Sequence, residues 1–588
     1  MSHAKNWVDY GFIGINPSGE RVEGYSAPLQ FFVYALLYAI SGIDYHTFAA
    51  LQTFLGTFFL GVICVGFLAR EHLYKKLLGA AFSAIMLIGS MQFLLWHGSG
   101  MENPFTNVFF ALTLLLLFKS LEGGRIVWWH SAIVFCASIS RIESIYYIFP
   151  LLVLYNLFSL HRYRSLRSCL FTLLVIAMWV LFNWWRYMYF GSFTPNTAPA
   201  KDIDVWWRIV NWRQSWMEMK QNYNNILIQN SVFVPVSLSF FLLLKQWNKK
   251  DRTNKQKQSA LYFVSAATAL MAFMACISTF FFGIDGILGS LRMSTQLAVF
   301  AAFASIMMLF YQQLMQPVLI LAFAPLLLSA WIADTHSTFR TTWVGYPADN
   351  TDPNYKKMIE RAQQENLIRP TFATADIGSM SWRKGFNILD LAYLGSPFLA
   401  HTKHKDSINS TYFFDYMAPD FIENHGWWSC MHVNSLMRHP LFEKYYVQAD
   451  STSYMSYNCM QIMGIWVRRD ILKDSTSRER ALITDLQKNP TPGRLAREMQ
   501  LCTAEKTPCE YVVRAAYRLL PEFRERKMTT ELEKVFVNTP VEIFAGYLLE
   551  GYKDPLLYHD MIELLQPKMT NTLRTPEDFL KYRPLKKE

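Results

Sequence analysis

Charged residues are scarce in this sequence. Only 17% of its 588 residues are Asp, Glu, Lys or Arg, whereas 52% are apolar and 16% are aromatic. A soluble enzyme of this length is far less apolar, so the composition excludes a wholly soluble protein. Several motifs are also missing, namely a Gly-rich phosphate loop, HExxH, GxSxG and CxxC. We therefore predict no metal and no cofactor. With no Lys/Arg stripe interleaved with aromatic residues, we also predict no nucleic-acid partner.

Long apolar runs fill the sequence from about Phe31 to Ile332. A helix needs about 20 apolar residues to cross a bilayer, and shorter ones suffice in packed bundles. The pattern predicts about ten transmembrane helices, and a shorter run, Pro28–Ile40, is predicted to lie at the membrane surface. The predicted spans are Leu51–Ala69, Leu77–Trp96, Pro104–Phe118, Val127–Ser140, Ile145–Leu160, Ser168–Trp185, Val232–Trp247, Ala260–Phe282, Thr295–Leu314 and Val318–Ile332.

Basic residues concentrate in every second loop between these runs, as in Lys75 and Lys76 or Lys249 and Lys250. Because such loops stay in the cytoplasm, the alternate loops and the C-terminal region are predicted to be extracytoplasmic. The net charge of +11 fits this topology. We predict four regions: an external loop and surface helix (1–46), a transmembrane domain (47–333), a mixed α/β or α+β soluble domain (334–474) and a mainly helical part (475–588). The predicted location is a bacterial cytoplasmic (inner) membrane.

The soluble region carries local patterns for strands, helices and disulfides. Alternating segments at Phe386–Ala392 and Tyr446–Gln448 predict strands, and Arg478–Lys488 and Tyr558–Leu565 predict helices. Of the eight cysteines, Cys64, Cys136, Cys169 and Cys276 lie in apolar runs and read as small buried residues. The other four lie in the soluble region, where an oxidising compartment favours the pairs Cys430 with Cys459 and Cys502 with Cys509.

Ionisable residues interrupt the sequence at the predicted external ends of the spans. A charge beside a membrane is costly and usually marks a site, although each one singly also fits a snorkelling or salt-bridging residue. Carboxylates facing cations at this boundary suit a lipid phosphate held by Arg or Lys, with a carboxylate that takes a proton from an attacking hydroxyl. This is the chemistry of glycosyl transfer from a polyprenyl phosphate sugar. The candidate residues are Arg21, Glu23, Glu102, Arg141, Glu143, Arg186, Asn196, Lys201, Asp285 and Arg292.

Six segments occur in an order that resembles a known family: AKNWVDYGFIGINPSGERVEGYSAPLQ, SGMENP, SRIES, WRYMYFGSFTPNTAPAK, FFGIDGILGSLR and TADIGSMSWRKGFNILDLAYLG. They look like the ordered motifs of bacterial polytopic glycosyltransferases of the GT-C class, closest to the terminal arabinofuranosyltransferases with a C-terminal periplasmic domain. The resemblance implies inverting transfer of a sugar, such as arabinofuranose, from a polyprenyl phosphate carrier to an extracytoplasmic glycan or glycoprotein of the cell envelope.

The residues that match these motifs receive roles from the resemblance and from the chemistry above. Glu23, Glu102 and Glu143 are the predicted catalytic carboxylates. The donor phosphate is assigned to Lys201, Arg292, Arg141 and Arg186. The sugar or the cavity rim is assigned to Arg21, Asn196 and Asp285. The predicted partners are the polyprenyl phosphate sugar donor, the glycan or glycoprotein acceptor and the lipid bilayer.

One part of the family pattern is missing from the sequence. Family members carry a first transmembrane helix and an Asp-Asp pair, the source of the expected general base, before the segment that matches Asn6. Met1 is not followed by a signal-peptide pattern either. We expect either that the start lies upstream or that the chain is a truncated member without its base. Two other functions stay open, a lipid-linked sugar transporter or flippase, and a non-catalytic protein of cell-envelope glycan assembly.

Overall fold

The computed structural model divides the chain into two compact units, each of which is described by itself. The sheet unit comprises Met1–Ser26, Trp184–Asp202 and Tyr346–Glu588, and the helical unit comprises Ala27–Asn183 and Ile203–Gly345. The residues described by the structure are 2–17, 21–69, 72–88, 91–123, 126–163, 166–200, 205–229, 255–282, 295–311, 352–375, 377, 380, 385–402, 406–424, 436–450, 464–472, 477–539 and 541–550.

Between residues 28 and 311, every described regular element is helical. The α-helices are Pro28–Ser41, Tyr45–Phe67, Leu73–Ile88, Met91–Gly98, Asn103–Leu121, His130–Ile139, Ile145–Tyr163, Arg167–Phe190, Thr197–Ala200, Val205–Val210, Trp212–Gln229, Lys255–Phe282 and Thr295–Tyr311. Local chemistry sets several of their starts. Asp44 caps its helix by accepting bonds from the backbone N–H groups of His46 and Thr47, and prolines occupy the first turns at Pro28 and Pro104, where a missing N–H costs nothing.

Four segments within the described residues are long and apolar enough to cross a bilayer: Tyr45–Phe67, Asn103–Leu121, Ile142–His161 and Arg167–Phe190. They indicate a multi-pass membrane protein. Shorter apolar helices are Pro28–Ser41, His130–Ile139, Ser259–Ala275 and Thr295–Ala304. The predicted spans Val232–Trp247 and Val318–Ile332 lie outside the described residues, so the count of about ten stays a prediction.

Close helix packing in the helical unit depends on a small residue. A Cβ atom on Gly56, in Tyr45–Phe67, would lie 2.7 Å from the Cβ of Pro104, at the start of Asn103–Leu121. Only glycine allows the two backbones to approach so closely, as small residues do between membrane helices. Further along the same two helices, Phe67 and Phe118 pack against each other in a buried apolar core.

Over its described residues, the sheet unit contains five strands in the order β2-β1-β3-β5-β4. These are β1 (Thr371–Thr374), β2 (Asn387–Asp390), β3 (Phe421–Asn424), β4 (Tyr446–Asp450) and β5 (Gly464–Arg468). β1 pairs in parallel with β2 and β3, whereas β5 pairs antiparallel with β3 and β4. This mixed sheet confirms the predicted α/β or α+β class in its coarse form. β2 and β4 lie where the sequence predicted strands.

Helices cover the sheet on both faces. Phe372, Ile388 and Phe421 belong to one buried cluster, and the next residue of each strand belongs to another, as the alternation of side chains along a strand requires. The described helices of this unit are Ser2–Tyr10, Thr197–Ala200, Asp352–Gln364, Pro397–Thr402, Asp406–Thr411, Pro440–Tyr445, Arg469–Leu472, Arg478–Lys488, Pro492–Ala504, Glu510–Arg518, Leu520–Glu525, Thr529–Phe536 and Glu542–Ala545, with π-helical turns at Tyr412–Met417 and Gly546–Glu550.

The helices after Ser477 share a hydrophobic core with the sheet. Val512 and Val513 lie in the same buried cluster as Leu389 of β2 and Ile422 of β3. The predicted regions 334–474 and 475–588 therefore meet in one core over the described residues. The helix predicted at Arg478–Lys488 is present with the same bounds, and Tyr558–Leu565 lies outside the described residues.

The N-terminal segment belongs to the sheet unit through hydrogen bonds to an edge strand. The side-chain amide of Asn16 donates to the carbonyl oxygen of Ile388 at 2.8 Å and accepts from the N–H of Ile388 at 2.7 Å. Ile388 lies in β2, at one end of the strand order, where backbone groups would otherwise lack a partner strand. The sequence prediction had grouped residues 1–46 as a separate external loop and surface helix.

Of the predicted disulfides, Cys502–Cys509 is present. It closes a short loop between helices Pro492–Ala504 and Glu510–Arg518. Cys64, Cys136 and Cys169 are free thiols. Cys430 and Cys459 lie outside the described residues.

Candidate functional site

Two groups of buried and half-buried residues contain the predicted ionisable site residues that the structure describes. The first lies in the sheet unit and is called the Glu23 cluster, comprising Arg21, Glu23, Tyr25, Arg186 and Tyr189. The second lies in the helical unit and is called the Arg141 cluster, comprising Glu102, Arg141 and Glu143. Each is described within its own unit.

Glu23 and Arg186 form the centre of the Glu23 cluster. Oε2 of Glu23 accepts hydrogen bonds from Nε of Arg186 at 2.9 Å and from Nη2 at 2.7 Å. Both side chains are at least 97% buried. Arg186 lies near the end of the long helix Arg167–Phe190, and Glu23 lies in an extended segment. The N–H of Asn196 holds that segment by donating to the carbonyl oxygen of Glu23 at 3.1 Å.

A second guanidinium belongs to the Glu23 cluster. Arg21 lies 4.2 Å from the ring centroid of Tyr189 and donates from Nη1 to the carbonyl oxygen of Tyr189 at 3.2 Å. The hydroxyl of Tyr189 accepts from the N–H of Ile13 at 2.9 Å. The cluster thus contains two arginines, a residue type that suits an anion such as a phosphate monoester, because guanidinium groups bind phosphate with two parallel hydrogen bonds.

Burial controls the ionisation of Glu23. Removal from water raises the pKa of Glu23 to about 7, and the charge and hydrogen bonds of Arg186 restrain that rise. Oε1 is buried and accepts no hydrogen bond from the described residues. A carboxylate with a pKa near neutrality and one oxygen available to a ligand is suited to act as a general base.

The raised pKa predicts how the protonation of Glu23 follows pH. An acid whose pKa is higher in the folded state stabilises the fold below its unfolded pKa, near 4.5, and that contribution is lost as pH rises towards about 7. We expect infrared spectra of the full-length protein to show a carboxylic-acid carbonyl band that disappears around pH 7. The difference between wild type and Glu23→Gln isolates this band. A difference band that disappears near pH 4 instead would show an ordinary, hydrated carboxyl group.

The Arg141 cluster lies at the termini of helical elements. Glu102 precedes the first residue of Asn103–Leu121, and Arg141 stands in extended conformation before a 3₁₀ turn, Ile142–Ser144. Nη1 of Arg141 donates to Oε1 of Glu102. Its Nε donates to Oε2 of Glu143 at 3.3 Å, and its Nη2 to Oε1 at 3.4 Å. The single guanidinium thus bridges two carboxylates.

Exposure separates the two carboxylates of this cluster. The side chain of Glu102 is 3% exposed, whereas that of Glu143 is 25% exposed. The carboxylate oxygens of Glu143 are therefore the more accessible ones to a ligand such as a sugar hydroxyl group. Arg141 was predicted to bind the donor phosphate, and that role stays a prediction.

Neutral amide and hydroxyl groups fix the loop that carries Glu102. Nε2 of Gln52 donates to the carbonyl oxygens of Gly100 and Met101, and Nε2 of Gln30 donates to Oε1 of Gln52 at 2.9 Å. Beyond Glu102, Nδ2 of Asn103 donates to Oγ1 of Thr295 at 2.9 Å. These residues were not among the predicted site residues. The sequence shows them as isolated amides and hydroxyls inside apolar runs, where an unpaired polar group is costly, and that pattern could have indicated them.

Of the remaining predicted residues, Asn196 bonds to backbone groups, and the others lie outside the described part of the chain. Nδ2 of Asn196 donates to the carbonyl oxygens of Tyr393 and Leu394, both at 2.8 Å. These bonds anchor the turn after β2, where Tyr393 has a φ of 65°, a conformation that is uncommon for a residue other than glycine. Lys201, Asp285 and Arg292 lie outside the described residues. Among the residues that the structure describes, no group of three His, Cys, Asp or Glu side chains could hold a metal ion.

No protein-family model matches the chain, and no curated protein sequence matches it either.

Proposed function

We propose that this chain is a membrane glycosyltransferase that moves a sugar from a polyprenyl phosphate carrier to an extracytoplasmic glycan or glycoprotein. One observation supports the proposal most directly. The carboxylates predicted to be catalytic contact arginines predicted to bind the donor, Glu23 with Arg186, and Glu102 and Glu143 with Arg141. The four membrane-length helices supply the hydrophobic setting that an isoprenoid carrier requires.

In the proposed reaction, the Glu23 cluster handles the leaving phosphate and the proton. A hydroxyl oxygen of the acceptor attacks the anomeric carbon of the donor sugar, and the bond between that carbon and the phosphate oxygen breaks. The phosphate leaves with both electrons of that bond, and the guanidinium groups of Arg21 and Arg186 stabilise the charge it gains. Glu23 takes the proton of the attacking hydroxyl. Because cationic side chains stabilise a monophosphate leaving group, the proposal requires no further co-reactant.

A second part of the proposal concerns the helical unit by itself, in which the Arg141 cluster is suited to bind the hydroxyl groups of a sugar. Glu143 is partly exposed, and its carboxyl oxygens can accept hydrogen bonds from sugar hydroxyl groups. Glu102 is almost fully buried and holds Arg141 in place. A furanose such as arabinose is the first donor sugar to test, following the resemblance described above.

The proposal is tested with the full-length protein in proteoliposomes. The donor is a radiolabelled polyprenyl phosphate arabinose, and the acceptor is a short arabinan oligosaccharide outside the vesicles. We expect label to appear in the acceptor, with one polyprenyl phosphate released for each sugar transferred, as measured by mass spectrometry. A sugar nucleotide in place of the lipid donor serves as the control and should give no product.

Movement of the labelled lipid between leaflets without sugar transfer would contradict the proposal and identify a transporter. Absence of both activities with arabinose, and with a panel of other polyprenyl phosphate sugars, would support the non-catalytic alternative instead.

A further inference from the structure

Aromatic and basic side chains share an exposed face of the helix Trp212–Gln229. Residues three and four apart lie on one side of an α-helix, which places Trp212, Trp216 and Lys220 beside Arg213 and Met217. These five residues are called the Trp212 face. Trp212 is 55% exposed, Trp216 is 54% exposed and Met217 is 65% exposed. The guanidinium of Arg213 lies 5.7 Å from the ring centroid of Trp212.

The opposite side of this helix is fixed within the helical unit. Ser215 is fully buried, and its hydroxyl donates to the carbonyl oxygen of Arg208 at 3.0 Å. Both terminal nitrogens of Arg208 lie 3.1 Å from Oε2 of Glu218. Nη1 of Arg208 also donates to the carbonyl oxygen of Phe280, near the end of Lys255–Phe282. The Trp212 face is therefore turned away from its packing partner.

Charge on the two sides of the helix is segregated. Glu218 is the single acidic residue in Trp212–Gln229, and its side chain pairs with Arg208 on the packed side. The Trp212 face combines two cations with indole and thioether groups and carries no carboxylate. Val210, 75% exposed in the preceding helix Val205–Val210, extends its apolar surface.

We propose that the Trp212 face binds the headgroup layer of an anionic lipid bilayer. Tryptophan concentrates at the membrane–water interface because its ring is apolar and its N–H is polar. Arg and Lys beside it pair with lipid phosphates while their aliphatic stems lie along apolar surface. A soluble partner would leave unexplained why this face belongs to the same compact unit as the membrane-length helices. The helix then lies along the membrane surface, and its packed side faces the protein.

The test compares two positions on this helix by spin labelling. Trp216→Cys labels the Trp212 face, and Gln214→Cys, which is exposed two residues away, serves as the matched control. Full-length protein is reconstituted in vesicles of equal parts phosphatidylcholine and phosphatidylglycerol, and the signal of the unsubstituted protein is subtracted. We expect the label at position 216 to be accessible to dissolved oxygen and protected from a water-soluble nickel chelate. The label at position 214 should show the reverse preference. The ratio of oxygen accessibility to nickel-chelate accessibility should differ several-fold between the two positions.

Two further measurements show whether the basic residues contribute. Arg213→Gln with Lys220→Gln should reduce the oxygen-to-nickel ratio at position 216, as should vesicles of phosphatidylcholine alone. Trp212→Cys provides a second labelling position on the same face if the first variant fails to fold.

Equal accessibility of positions 214 and 216 to the nickel chelate would overturn the proposal, because the face would then meet water. Protection of position 216 from both reagents would also overturn it, because a protein surface would then occupy the face.

Discussion

Replacing Arg518 with Met is expected to destabilise the sheet unit by about 3–5 kcal/mol, the usual cost of removing one partner from a buried ion pair. Nη2 of Arg518 lies 2.7 Å from Oδ2 of Asp420 and 3.5 Å from Oε1 of Glu479. Asp420 is fully buried and also accepts a bond from the N–H of Thr371, at the start of β1. Methionine fills a similar volume but removes this cation from both carboxylates. Their remaining partners are Arg468, 3.3 Å from Oδ1 of Asp420, and Arg514, 2.9 Å from Oε2 of Glu479. The cost therefore arises at the point where helix Glu510–Arg518 meets the sheet.

Hydrogen exchange on the full-length protein measures this effect locally. Peptides that cover β1 and β3 should lose protection by a factor of about 10² to 5 × 10³, the equivalent of about 3–5 kcal/mol. The matched control is Arg497→Met, an exposed arginine on helix Pro492–Ala504, for which we expect a change within about 0.5 kcal/mol. Equal protection in wild type and Arg518→Met would show that Arg468 and Arg514 suffice for the buried carboxylates.

Local sequence patterns predicted part of this fold. The apolar runs predicted helices because a bilayer or a core demands them, and the alternation in FNILDLA predicted the strand β2, all four residues of which are buried. The strands β1, β3 and β5 were not predicted. The connection between distant segments could not be predicted in this way. Asn16 and Ile388 are 372 residues apart, and nothing in the local pattern of either residue specifies the other. The assignment of residues 2–17 to the sheet unit depends on such contacts.

For the candidate site too, the sequence indicated individual residues but not the residues that they contact. The sequence indicates Glu102 and Arg141 as candidate site residues because an ionisable group beside an apolar run is costly, and that role stays a prediction. Their pairing was not predictable. Arg186 was assigned to a phosphate, yet its described contact is Glu23, 163 residues away. The amides of Gln30 and Gln52 carry no charge. They were therefore not among the predicted residues, although they hold the loop before Glu102.

Replacing Glu23 with Gln is expected to lower the turnover number for sugar transfer by about 10²- to 10⁴-fold, the usual contribution of a general base. Glutamine keeps the shape of the side chain and can still accept a hydrogen bond from Arg186, but it cannot take a proton from the acceptor hydroxyl. The prediction depends on the proposed function, so transfer by the wild-type protein is established first. In wild type, kcat/KM should rise with pH through about 7 as Glu23 loses its proton, and Glu23→Gln should lack this rise.

The pH profile separates a general base from a residue that merely supports the fold. Glu122→Gln is the matched control, since Glu122 is also buried and paired, with Lys119 at 2.9 Å, but lies at the opposite end of helix Asn103–Leu121 from Glu102. We expect its turnover number to stay within a factor of about three of wild type, as for a substitution away from the site. Glu23→Asp should recover part of the activity together with the pH dependence, because it restores a carboxylate. A fall in turnover without any change in the profile would assign Glu23 to the structure of its cluster, where the pair with Arg186 joins two segments of the chain.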